Sequence, residues 1–231
     1  MQTIGLRNLL IAMCLLCVCA PVFAQTDQFL PEVDLYSKIH DGIRFQFQAK
    51  QTREANEPVQ AEIGPSLELY THPLRRLADI AQFDLDNTKT RALVVAAGYR
   101  YLPEANGGAA TNRIEPVATF RFPFTRKLLV TDRNRFDLDW KSHAFTWRYR
   151  NRLQVEGPVK LGSYHLTPYA SAEIFYQSQY GKISDTAIYA GCLFPIKKHV
   201  QLDPYYEHQN ETGKKPNDQL DQIGIILNLF F

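Results

Sequence analysis

The sequence predicts an all-β fold, an antiparallel transmembrane β-barrel of about twelve strands (ten to twelve) behind a cleaved leader. Three observations predict it. The N-terminus reads as an export signal, long segments alternate apolar and polar residues, and an apolar row runs through the last ten residues to Phe231.

The leader comes first. Arg7 gives a short positive region, and Leu9 to Ala20 is apolar. Pro21-Val22-Phe23-Ala24 then supplies suitable residues for cleavage after Ala24. That order is a secretory signal peptide. The apolar run is shorter than the ~20 residues that a membrane-spanning helix needs. Cys14, Cys17 and Cys19 follow Met13, Leu16 and Val18, which does not fit a lipoprotein signal. The expected organisation is a signal peptide over 1–24 and one barrel domain over 25–231. Cleavage leaves Cys192 as the one cysteine, which rules out an intramolecular disulfide and Cys-x-x-Cys metal clusters. Cys192 reads as a small apolar side chain on a strand.

Composition then limits the class. Lys plus Arg number 26 against 24 for Asp plus Glu, so charge gives no case for a nucleic-acid partner. No apolar run in 25–231 is long enough for a transmembrane helix. The 12% aromatic content suits the interfacial girdles of a lipid-facing barrel. It also suits a soluble β-sandwich.

Strand length separates those two folds. Ile43, Phe45, Phe47 and Ala49 alternate with Arg44, Gln46, Gln48 and Lys50. Val59, Ala61, Ile63, Leu67 and Leu69 alternate with Gln60, Glu62, Ser66 and Glu68. Leu93 to Tyr101 forms a third apolar row, and Ile114, Ala118, Phe120 and Phe122 form a fourth opposite Arg113, Glu115, Thr119 and Arg121. Leu166, Ala170, Ala172, Ile174 and Tyr176 oppose Tyr169, Ser171, Glu173 and Phe175. Period-two alternation marks strands with one apolar and one polar face. Segments of roughly 10 to 13 residues reach across a bilayer when tilted, whereas globular strands average about 5 to 6.

The connections alternate in size. His40-Asp41-Gly42 and Lys197-Lys198-His199 read as tight periplasmic turns. Thr52 to Pro58, Pro103 to Thr111, Gln179 to Asp185 and Glu211 to Asp218 read as longer outer loops. Thr71 to Asn87, with Pro73-Leu74-Arg75-Arg76-Leu77, fits a periplasmic turn containing a short helix. A direct count gives about eleven strands, and the even number usual in single-chain barrels favours twelve.

In the last segment, Ile223, Ile225, Leu227, Leu229 and Phe231 share one face. This resembles the terminal signal read by barrel-assembly machinery, so the expected partners are that machinery and outer-membrane lipids. The expected location is the bacterial outer membrane, and the barrel reads as a monomer.

The least ordinary region is the hairpin from Leu128 to Glu156. Arg133, Arg135, Asp137 and Asp139 share one face of its first strand, and Arg148, Arg150, Arg152 and Glu156 share one face of its second. Phe136, Leu138, Trp140, Trp147 and Tyr149 point the other way. Charges facing lipid are costly, so the arginines should line the lumen. One reading pairs them with Asp137, Asp139, Glu156, Glu173 and Glu207 in a packed polar interior. The other makes them an anion-attracting constriction.

Several short runs carry a family resemblance. They are Pro31 to Ile39, Ile63 to Leu67, Gly98-Tyr99-Arg100-Tyr101, Asp132 to Arg135 and Arg148 to Arg152. Pro168-Tyr169, Glu173 to Tyr176, Pro204-Tyr205-Tyr206 and Gln209-Asn210-Glu211 add to them. Together they resemble the bacterial family catalogued as domain of unknown function 2490. The resemblance implies an outer-membrane barrel and transfers no site.

The histidines are the candidate catalytic bases. Barrel-embedded phospholipases and lipid A deacylases need a serine beside a histidine base. His208-Gln209-Asn210 has the histidine and an asparagine but no serine two residues on. No metal-ligand spacing or Gly-rich phosphate loop occurs, so no metal or cofactor is expected. The sequence therefore reads as a non-enzymatic barrel, structural or a narrow channel, with a barrel-embedded lipid hydrolase as the alternative.

Overall fold

The structure is a computed structural model that describes residues 26–55, 57–104, 107–213 and 218–231. The leader over 1–24 lies outside the described residues.

The alternating segments form twelve strands. They are β1 (Thr26–His40), β2 (Ile43–Glu54), β3 (Glu57–Tyr70), β4 (Leu93–Leu102), β5 (Thr111–Pro123) and β6 (Leu129–Lys141). The rest are β7 (Ala144–Glu156), β8 (Val159–Leu161), β9 (Tyr164–Gln177), β10 (Lys182–Lys197), β11 (Val200–Glu211) and β12 (Asp218–Phe230). Eleven of them close a ring, and β8 is a three-residue strand paired only with β9.

The even-number rule expected twelve strands in the wall. The twelfth strand exists, but it sits outside the ring. An odd ring makes its first and last strands run the same way. β1 and β12 accordingly pair in parallel, from Thr26–Leu220 to Tyr36–Phe230, while every other pairing is antiparallel. The barrel is thus antiparallel except at this one seam.

The wall is inside out relative to a soluble protein. Among the described residues, 22 buried side chains are polar or charged and 11 are apolar. The large exposed side chains are the apolar rows, such as Val95, Ile114, Leu153, Ile174, Ile188 and Ile223. That distribution is what hydrocarbon outside and water inside select. No helix among the described residues is long and apolar enough to cross a membrane.

One end of the barrel, here the helix end, carries the 41–42 turn, the 71–92, 124–128 and 157–163 connections and the turn at 198–199. The 71–92 connection contains α1 (Arg75–Ile80) and a 3-10 turn over Asn87–Thr90. The far end carries the remaining connections. Two stretches expected there as long loops are tight turns instead. β2 and β3 stay paired out to Glu54–Glu57, and β9 and β10 stay paired out to Gln177–Lys182. Charged residues continue the ladder past the apolar rows because strand pairing does not stop where the apolar face stops.

Inward glycines shape the wall. Tyr205 lies flat against Gly224 and Tyr169 against Gly191, where a Cβ would collide with each ring. Two aromatic rings therefore hug the wall and leave the lumen free beside them.

Candidate lumenal site

The lumenal face of β3 to β7 and β9 is a continuous charge lattice. Asp137 is fully buried and takes Arg135 at 2.5 Å and Arg148 at 2.7 Å. Arg135 also pairs with Glu115. Arg113 makes a two-pronged contact to Asp139 at 2.6 and 2.9 Å and approaches Glu62 at 3.4 Å. Glu173 receives Arg150 at 2.8 Å, Arg152 at 2.7 Å and the Tyr189 hydroxyl at 2.7 Å. Arg100 donates to Gln48, the Pro65 carbonyl and Ser66. The planar guanidinium fork suits such two-pronged carboxylate contacts. Arg152 also stacks over Tyr189, and Arg150 over Phe175.

Three residues named from the sequence stand outside this lattice. Among the described residues Arg133 makes no ion pair or hydrogen bond; its charged neighbours are Arg135, Arg152, Arg150 and Glu173. Glu207 is buried at the lumen without an ion pair or side-chain hydrogen bond. Glu156 pairs with Lys89 of the 71–92 connection, not with a hairpin arginine. The sequence reading missed Arg100 and Arg113 as members of the lattice, although both sit on the polar faces that alternation had marked.

It also missed the closure of the helix-end mouth. Leu77 and Ile80 of α1 pack on Leu129. Phe83 stacks on His165 at the rim of β9, with ring centroids 3.7 Å apart. The chain then turns across the lumen. Asp84 accepts from Gln201 of β11 at 3.1 Å. Asp86 receives Arg44 of β2 at 2.7 Å and caps the 3-10 turn through the Thr88 N–H at 3.0 Å. The Thr88 carbonyl accepts from Arg121 of β5 at 3.0 Å. Lys89 reaches Asp84 at 2.8 Å and Glu156 of β7 at 2.7 Å. Four strands around the ring are thus tied to one seven-residue crossing, 84–90.

The crossing lies outside the spanning strands, and its charges are firmly held. Burial opposes ionisation of Asp86, yet Arg44, Arg121 and the Thr88 bond hold its carboxyl below the usual carboxylate range. Burial likewise opposes the Lys89 charge, yet Asp84 and Glu156 raise it above the ordinary lysine range.

Above the crossing lies a cavity of about 700 Å³. Its floor is Asp86, Thr88 and Lys89, and it extends to Gln28, Gln60 and Gln209 near the far end. One wall is the arginine lattice. The opposite wall, from β11, β12 and β1, presents Asp203, Tyr205, Glu207, Gln222, Glu32 and Asp34.

The outer surface carries a polar cluster of Asp132, Asn134, Tyr149 and Asn151 on β6 and β7, and another near the far end. His208 Nδ1 lies 2.7 Å from Asp221, which also accepts the Tyr206 hydroxyl at 2.5 Å. Among the described residues His208 is bonded to Asp221 and to no serine, and no metal-binding group of His, Cys, Asp or Glu occurs. The row Ile223, Ile225, Leu227 and Leu229 lies on this outer face of β12, and Phe231 donates its N–H to the Tyr36 carbonyl of β1 beyond it.

Comparison with known proteins agrees with this architecture. A solved structure described as a bacterial polysaccharide outer membrane secretin superposes with a TM-score of 0.50 at 8% identity. The match covers 79% of this chain, which spans 62% of that chain's length. Among curated proteins none matches. The family described as protein of unknown function DUF2490 matches residues 80–220, from the mouth crossing through nearly the whole of the wall that follows, and the chain belongs to that family.

Proposed function

We propose that this is a non-enzymatic barrel of the bacterial outer membrane whose lumen is a polar chamber closed at one mouth, so that passage through it is narrow and gated. The observation that carries the reading is the crossing of residues 84–90, tied to β2, β5, β7 and β11 by charged and polar bonds. The arginine lattice supports it by filling one side of the interior with paired charge. The described outer-membrane neighbour supports the location. Outer-membrane lipids are the surroundings that the exposed apolar rows suit. The outward row of β12 is the surface offered to barrel-assembly machinery.

Planar-bilayer recording tests the gate. The unmodified barrel should be silent. A Lys89→Ala, Asp86→Ala double variant frees the crossing from two strands and should give resolved conductance steps. A steady open conductance from the unmodified protein would overturn the reading. The competing lipid-hydrolase reading requires fatty-acid release from phospholipid or lipopolysaccharide; none is expected.

A further inference from the structure

We infer that the lumenal chamber is a binding site for a hydroxyl-bearing oxyanion, a sugar acid or sugar phosphate, held by Arg133 on one wall and Asp34 on the other. This deepens the chamber reading above and rests on it.

The anionic end is assigned by Arg133. Arg133, Arg150 and Arg152 stand together on the lumenal faces of β6 and β7 with one carboxylate, Glu173, among them. Glu173 is fully used by Arg150, Arg152 and Tyr189. The patch keeps an excess of positive charge, and Arg133 carries it with no protein partner. A guanidinium that lines a chamber without an ion-pair or hydrogen-bond partner is matched by an oxyanion.

The hydroxyl end is assigned by Asp34. Asp34 is 5% exposed and lines the same chamber. Its Oδ2 accepts from Tyr36, but its Oδ1 is buried and has no partner. Buried polar atoms are nearly always satisfied, so a lone acceptor at a cavity wall marks a place for a donor. Asp34 on β1 and Arg133 on β6 line the same chamber from its two walls. A ligand between them must offer an anion to one side and a hydrogen-bond donor to the other. Sulfate has no donor, and a neutral sugar has no anion.

The chamber's size and lining agree. About 700 Å³ falls within the range of small-molecule sites, roughly 300–1,000 Å³. Tyr205, held flat by Gly224, gives an apolar face beside these polar groups, as a sugar ring needs.

Calorimetric titration of the full, detergent-folded chain tests the site. The probes are D-glucuronate, D-glucose 6-phosphate, D-glucose and sulfate. Binding of glucuronate, glucose 6-phosphate or both is expected, with glucose and sulfate at least tenfold weaker. Preference between the two binders identifies the oxyanion. Arg133→Gln should weaken the binder at least tenfold, and Arg133→Lys should restore part of that loss. Asp34→Asn should weaken it severalfold without changing sulfate. Three results would overturn the inference: neither sugar anion binds the unmodified protein, Arg133→Gln binds as well as the unmodified protein, or sulfate binds as tightly as the sugars with Asp34→Asn indifferent. Conductance reads the gate without any ligand, so failure of the gate and failure of the site give different signals.

Discussion

The two sides of the lumen are built on opposite rules. On β3 to β7 and β9, nearly every charge meets its counterpart, and Asp137 alone is bonded by Arg135 and Arg148. On β11, β12 and β1 the contacts thin out: Glu32 meets Lys50 at 4.0 Å and Asp203 takes the Tyr169 hydroxyl at 3.0 Å. Glu207 has no ion pair, and Asp34 keeps a free oxygen. Charges facing one lumen thus follow different physics on its two sides. A paired charge inside a barrel is mortar, because each partner satisfies the desolvated other. An unpaired charge beside open volume costs stability and is available to a visitor.

The largest expected effect lies on the mortared side. Asp137→Ala removes the anion shared by two arginines and leaves their charge uncompensated. The cost should be about 3–5 kcal/mol, since breaking one member of a buried pair strands the other. Reversible urea unfolding of the folded barrel in detergent or lipid measures it. A loss under ~1 kcal/mol would mean that water reaches the lattice freely.

The mouth closure should show a broad plateau against pH. The folded carboxyl of Asp86 is lowered, so its contribution persists above the ordinary carboxylate range near ~4 and fades only below it. The folded ammonium of Lys89 is raised, so its contribution persists below the ordinary lysine value near ~10.4 and fades only above it. Bilayer silence should therefore be unchanged between about pH 5 and 9. Opening inside that window would overturn this reading of the mouth.

A smaller change belongs to the β6–β7 turn. Ser142 and His143 both have positive φ, at 48° and 68°, where glycine is preferred. His143→Gly should relieve strain and raise stability by up to about 1 kcal/mol, read from the same urea curves. The smallest effect should come from Glu207→Gln on the unpaired side, within about 0.5 kcal/mol. A large loss there would erase the distinction between the two walls.

Much of this was legible in the sequence, for a definite reason. Strand faces are local, so a period of two placed Arg148, Arg150 and Arg152 inward without any knowledge of the ring. Ion pairs across neighbouring strands are nearly local, and the acidic partners Asp137, Asp139 and Glu173 could be named for the same reason. The crossing at 84–90 was not legible. Its partners Arg44, Arg121, Glu156 and Gln201 are scattered along the chain and meet only when the ring closes. Whether Arg133 is paired or faces the open lumen was not legible, because alternation gives direction but not reach. The strand count was displaced by β8, whose three residues add a strand without adding to the wall.

The parity of the wall reaches beyond its hydrogen bonds. β1 leaves Thr26 at the far end and β12 brings Phe230 to the helix end. In a ring with an even number of strands those two points would share a compartment. Here they face different ones. The described rims differ as well: at the far end Asp27, Glu54, Glu57, Glu104, Glu211 and Asp218 outnumber Arg53, Lys141 and Lys182, and at the helix end Arg75, Arg76, Arg126, Lys127, Lys197 and Lys198 outnumber Asp41 and Asp79. The molecule therefore has a sense of direction across its bilayer, acidic where the wall begins and basic where it finishes.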